Sequence, residues 1–221
     1  MPTSHSLNRL PFYLALALAV LPTMVINITY LIAAGEGHVP HCIPYWESCT
    51  SISATGRQGT AFFFFKLTMV PMAGVYWWYW REANLQLNRL GYRGRVIVRL
   101  GAVAALALGC YALALGATGD SFRLTRRIGI ILYFTFTYLC QLLIVYQLGK
   151  QGVSDRSRHW QQGLLLLILG IGLLTLVLDV ILPNYEDYED AFEWNVALLL
   201  HLNFLLAAIG WYRLTLRGER S

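Results

Sequence analysis

The sequence predicts an all-α fold: a polytopic membrane protein, a six-transmembrane-helix bundle with both termini cytosolic. Three observations predict it. Of 221 residues, 57% are hydrophobic and 13% charged, with a mean hydropathy of +0.50, far more apolar than an ordinary globular domain. Apolar runs recur at about 11–34, 60–80, 97–117, 128–149, 161–182 and 194–213, each near the roughly 20 residues that span about 30 Å of hydrocarbon. Lys and Arg collect in alternate connections, as the positive-inside rule requires.

The first run, Pro11–Ala34, exceeds the roughly 7–15 apolar residues of a signal peptide and reads as a retained helix. It carries Thr23 and Asn27. The second contains Lys66; the third holds Cys110 and the fourth Cys140, both mid-span and read as packing residues. The fourth also carries Tyr133, Thr137 and Gln141 on a stripe. The fifth ends near Asp179, and the sixth contains His201. Connections are short, without repeats or low-complexity tracts, so residues 1–221 read as one six-helix domain.

With the N-terminus in the cytosol, the cytosolic segments hold Arg9, Arg81, Arg89, Arg93, Arg95, Arg99, Lys150, Arg156, Arg158, Arg213, Arg217 and Arg220. The opposite side holds only Arg57, Arg123, Arg126 and Arg127. The acids run the other way: Glu36, Glu47, Asp120, Glu186, Asp187, Glu189, Asp190 and Glu193 fall outside, and Glu82, Asp155 and Glu219 inside. The net charge of +5 is therefore a leaflet asymmetry suited to anionic lipid heads. It is not a nucleic-acid footprint.

The first exterior loop, 35–59, contains "HCIPYWESCTSISATGRQG", and loops of this kind often carry function. Cys42 and Cys49 face an oxidising compartment, where either a short disulfide or two free thiols is chemically allowed. His38 and His41 are weak zinc candidates, since no helical HxxxH or HExxH accompanies them; ordinary hydrogen bonding is the alternative. No cofactor is expected.

Ionisable residues inside spans are costly and usually face a bundle interior or a water-filled cavity. Lys66, Asp179 and His201 lie roughly 6–11 Å from the outer ends of their runs at about 1.5 Å per residue. Glu193 shares a helix face with residues 197 and 201. The four define a candidate outer cavity; the alternative is that Lys66 snorkels, Asp179 pairs structurally, and the neutral stripes make interhelical hydrogen bonds. The acidic "NYEDYEDAFEW" suits a helix N-terminus and an interfacial belt. The outer arginines either receive a lipid phosphate or pair with that acidic segment.

"PYWESCTSISATG", an aromatic second helix and "AFEW" opening the sixth resemble the Frag/DRAM/Sfk superfamily of six-span proteins. The nearer likeness is to the post-GPI-attachment-to-proteins factor branch and the N-terminal part of the Cwh proteins. The residues resembling its motifs are His41, Cys42, Pro44, Ser51, Ser53 and Gly56, then Lys66 and Pro71, then Glu193 and Trp194. The resemblance implies a role in remodelling GPI-anchor lipids. Where the eukaryotic branch has an Asn-containing approach to the serines, this chain has "WESC", and its compact connections suit a bacterial homologue without GPI anchors. The implied location is the bacterial inner membrane if prokaryotic, or the Golgi, endoplasmic reticulum or plasma membrane if eukaryotic. The loop resembles a lid over the exterior mouth, with Ser51, Ser53, Thr55 and Gly56 in a turn that caps the second helix and offers backbone N–H groups to an anionic head group.

The expected activity is binding of a phospholipid or lipid-anchored substrate in an outer-leaflet cavity, with acyl-chain remodelling. His201 is the candidate base, oriented by Glu193 or Asp179, and Lys66 the cationic stabiliser. Arg57, Ser51, Ser53, Thr55, Gly56, Arg123, Arg126, Arg127 and Trp194 form the candidate head-group set. No GxSxG elbow occurs. A non-catalytic lipid sensor or accessory subunit is the rival class, and a small transporter relaying through Lys66, Asp179 and His201 the third. Expected partners are membrane lipids and a protein within the membrane.

Overall fold

The structure is a computed structural model that describes residues 8–153 and 155–218; Glu219, Arg220 and the side chain of Glu186 lie outside the described residues. Among those residues every regular element is helical. The six long helices are α1 (Leu10–Gly35), α4 (Gly59–Arg89), α5 (Val96–Ala114), α6 (Asp120–Lys150), α7 (Arg156–Ile181) and α8 (Glu186–Gly218), with two short turns, α2 (Pro44–Glu47) and α3 (Ile52–Thr55), in the first loop. All six long helices are long and apolar enough to cross a membrane.

Several helices outrun the apolar stretches that announce them. α4 continues to Arg89 because the polar residues after Trp80 are mostly good helix formers. Their side chains also find partners: Gln86 donates to the Asn8 carbonyl at 2.6 Å and Asn84 to the Gly94 carbonyl at 3.1 Å. α6 starts at Asp120, whose carboxylate suits the first helical turn. This places Arg123, Arg126 and Arg127 on one continuous helix. α5 ends early, at Ala114, as the chain turns through Gly116 and Gly119 at positive φ.

The helices form a ring in the order α6, α5, α4, α1, α8, α7. Each neighbouring pair packs closely except the closing pair, α6 and α7, which touch sparsely. Between lipid-facing helices there is little hydrophobic driving force, so close packing and polar contacts hold the bundle. Gly129 of α6 lies against Ala107 and Tyr111 of α5. At the centre, rings of Tyr76, Tyr79, Trp80, Tyr133 and Phe204 meet edge-on or tilted at 4.9–5.6 Å, and Tyr133 donates to the Tyr76 hydroxyl at 2.6 Å.

The neutral stripes make such interhelical bonds elsewhere too. Gln141 donates to the Leu200 carbonyl at 3.1 Å and Asn27 to the Tyr45 hydroxyl at 2.8 Å.

Loop 36–58 is fastened over the ends of α1 and α8. Cys42 and Cys49 are joined by a disulfide. The Tyr30 hydroxyl accepts from the Cys42 amide and donates to its carbonyl, both at 2.7 Å. Ser48, in the left-handed region, accepts from the Ala191 amide at 3.1 Å, and Asn195 donates to the Tyr45 carbonyl at 2.8 Å.

The expected cap for the second span is corrected. Ser51 caps its own turn, α3, accepting from Ala54 N at 3.1 Å. The N-terminus of α4 is instead held by Glu36, whose carboxylate oxygens accept from Thr60 N at 3.0 and 3.1 Å. A loop that returns to the end of α1 brings that carboxylate to the exposed N–H groups, where the helix dipole favours it.

Candidate functional site: a charged cavity between α6 and α7

Because α6 and α7 close the ring only loosely, the loop end of the bundle contains a cavity of about 1180 Å³. Its polar lining is Ser51, Ser53 and Arg57 of the loop, Asp120, Arg123, Arg126 and Arg127 of α6, Asp179 of α7, and Glu189, Asp190 and Glu193 of α8. Leu124, Ile130, Ile131, Phe134, Phe192 and Val196 add apolar wall. The half of α7 nearer Ile181 exposes Leu173, Leu176, Val177 and Val180. The cavity thus combines a polar end with an apolar gap between helices.

Local structure fixes several of these groups. Arg57 donates from Nη2 to Ser53 Oγ at 2.8 Å, and Ser53 and Ser51 hydroxyls are 3.2 Å apart. Arg126 donates from Nη1 to the carbonyls of Ala114 and Ala117, at 3.2 and 2.8 Å, satisfying the carboxyl end of α5 with a favourable charge. Arg123 pairs with Asp120 of its own helix at 3.4 Å. Among the described residues, Arg57, Arg126 and Arg127 form no ion pair with Asp179, Glu189, Asp190 or Glu193 across the cavity. Glu193 lies beside the Ile52 amide at the start of α3 and has Asp190, Glu189 and Arg57 as charged neighbours.

No family model, curated protein or solved structure matches the chain.

The candidate acid–base set is divided by the fold. Glu193 and Asp179 line the cavity; Lys66 and His201 do not. Lys66 stands over the Phe62 ring, Nζ 4.2 Å from its centroid, consistent with a snorkelling cation held by a cation–π contact. His201 is buried, its Nδ1 2.9 Å from Thr23 Oγ1. As the Thr23 hydroxyl donates to the Ala19 carbonyl at 2.9 Å, this geometry assigns the imidazole proton to Nδ1.

The head-group set divides as well. Ser51, Ser53, Arg57, Arg123, Arg126 and Arg127 meet at the cavity, whereas Thr55, Gly56 and Trp194 are packed inside. Trp194 donates to the Thr50 carbonyl at 2.8 Å and packs edge-on against Tyr30 and Tyr45. Gly56 permits close approach of Leu115 and Phe65. The weak zinc candidates take another arrangement: His38 lies 3.4 Å from Glu36, and no cluster of three metal-ligating residues including His41 occurs among the described residues.

The sequence reading did not single out Tyr111 or the cavity's apolar wall. Tyr111 of α5 is 1% exposed and lines the cavity, and its hydroxyl has no hydrogen-bond partner among the described residues. An unmatched buried hydroxyl costs roughly 1–3 kcal/mol. Its place near the outer end of the third apolar run was a signal: the depth count that singled out Lys66 and Asp179 also reaches it.

Proposed function

We propose that this chain is an integral membrane protein that binds a phospholipid or lipid-anchored substrate through its head group in the α6–α7 cavity. The observation that supports this reading is the cavity's composition. Guanidinium groups of Arg57, Arg126 and Arg127, which among the described residues form no ion pair with the cavity carboxylates, and the Ser51 and Ser53 hydroxyls suit a phosphate, while an apolar gap between two sparsely touching helices suits acyl chains. The orientation favoured by the arginine and lysine distribution puts this cavity in the outer leaflet. The motif order resembling the post-GPI-attachment factor branch points the same way.

Participation in acyl remodelling is the finer part of the proposal. In that chemistry Glu193 would take a proton from water or a lysolipid hydroxyl as it attacks an acyl ester, and return it to the departing alkoxide as the ester C–O bond breaks. Arg57 would stabilise the developing oxyanion. The second reading, a lipid sensor or accessory subunit without catalysis, is favoured by one observation: His201 is engaged with Thr23 and Lys66 with Phe62, so neither reaches the cavity. The same separation disfavours a transport relay through Lys66, Asp179 and His201.

Mass spectrometry of lipids carried by purified wild-type protein and by Arg57→Gln/Arg127→Gln tests the binding claim, and incubation with membrane lipid and a lysolipid acceptor tests chemistry. The proposal expects bound phospholipid that is depleted in the double variant, and acyl products that vanish in Glu193→Gln. Bound lipid unchanged by the wild type would leave the sensor reading. Equal lipid retention by both proteins would contradict the cavity.

A further inference from the structure

Resting on the lipid-binding reading above, we infer that the cavity selects a zwitterionic phospholipid whose head group ends in a primary ammonium. Its phosphate lies toward the arginines and its ammonium toward the carboxylates.

The cations come from Arg57, two residues before α4, and from the start of α6, where Asp120 pairs with Arg123. The remaining anions come from the end of α7 and the start of α8: Asp179, Glu189, Asp190 and Glu193. Were this a self-neutralising surface, cross-cavity ion pairs would join the two sides. Among the described residues the cavity's ion pair is instead local, Arg123 with Asp120. Opposed charges without direct pairing favour a dipolar occupant that meets both sides. An anionic head group would satisfy the arginines but face the carboxylates, and a simple cation would have the reverse difficulty.

Tyr111 provides an independent observation. Among the described residues its buried hydroxyl has no partner, and it borders the cavity; its charged neighbours are Glu193 first, then Arg57 and Arg126. It therefore offers an O–H donor where the carboxylates and arginines meet, within reach of a phosphate oxygen held by Arg57 and Arg126. The carboxylates opposite accept hydrogen bonds. A primary ammonium brings three N–H donors, whereas a quaternary ammonium brings none. The apolar wall of Leu124, Ile131, Phe134 and Val196 argues for the lipid-borne head group over the same group free in water.

The test is competitive native mass spectrometry of full-length protein in detergent. The probes are phosphatidylethanolamine, phosphatidylcholine and phosphatidylglycerol with matched chains, and soluble phosphoethanolamine. Phosphatidylethanolamine is expected to bind about tenfold more tightly than phosphatidylglycerol, as one charge-assisted hydrogen bond would provide. Asp179→Asn/Glu189→Gln should bring the two near parity; Glu189→Gln alone, at an exposed position, should move the ratio in the same direction if the double variant does not fold. Tyr111→Phe should weaken all phosphate-bearing lipids without changing their order.

Phosphatidylglycerol binding as tightly as phosphatidylethanolamine would overturn the dipolar assignment. Equal or tighter phosphatidylcholine would overturn the primary ammonium, and equally tight soluble phosphoethanolamine would overturn the lipid source. Binding of no lipid would instead defeat the underlying function.

Discussion

Trp194, at the start of the apolar part of α8, donates its indole N–H to the carbonyl of Thr50 at 2.8 Å. This joins the last helix to the first loop immediately before Ser51 and Ser53 reach the cavity. Beside it, Asn195 holds the Tyr45 carbonyl and Ser48 holds the Ala191 amide. The position of the loop is thus tied to the helix that carries Glu193.

Trp194→Phe should retain a ring while leaving the Thr50 carbonyl without its donor. The expected loss is about 1–3 kcal/mol. It should appear as a lower melting temperature in detergent and faster proteolysis within residues 36–58, with α-helix content preserved.

The disulfide predicts a specific labelling count. Cys42 and Cys49 are paired, while Cys110 and Cys140 are free thiols. After non-reducing denaturation, alkylation should add two labels, at Cys110 and Cys140; reduction first should give labels at all four positions, read by peptide mass spectrometry.

Stability should fall on acidification through two carboxylates at opposite ends of the bundle. Hydrogen bonding from Thr60 lowers the Glu36 pKa despite opposing desolvation, with His38 adding a smaller charge effect. For Asp155, burial raises the pKa, but hydrogen bonds from Ser157 and Arg213 and the Arg213 charge outweigh it and leave it lowered. Depressed folded-state values give a stabilising contribution that is present above the unfolded pKa, about 3.9–4.3. It is lost as pH falls through the lower folded values. Thermal unfolding between pH 3 and 7 should show that loss, reduced in Glu36→Gln and in Asp155→Asn.

Gly129→Leu tests how α6 is held against α5. A Cβ there would lie 3.0 Å from Tyr111 Cβ and 3.1 Å from the Ala107 carbonyl. Overpacking should cost about 1–3 kcal/mol, measured as a melting shift, and should weaken lipid retention by displacing Tyr111.

The six helices were legible because membrane spans need long apolar runs, and none depended on a subtle pattern. Their ends were less so: hydropathy marks hydrocarbon, whereas α6 and α8 extend through polar residues that remain helical. The arginines and serines of the cavity stood out because charge and turn chemistry are unusual in such a chain. Depth, however, does not report which way a side chain faces around its helix. Lys66 and His201 share a depth band with Asp179 yet point to Phe62 and Thr23. Trp194, expected among the head-group residues, is fully buried. Their azimuth follows from ring order and from the gap between α6 and α7, which no single sequence displays.

The central claim is occupancy of that gap by a phospholipid. Gly172 lines the cavity, and a Cβ added there meets nothing within 4 Å, so Gly172→Phe would fill the space without removing a native contact. The most direct measurement is native mass spectrometry of wild-type protein and this variant, purified from the same membranes with their melting temperatures matched. The account predicts a co-purifying phospholipid in the wild type and its loss in Gly172→Phe. Equal phospholipid occupancy in two equally stable proteins would place the lipid elsewhere and contradict it.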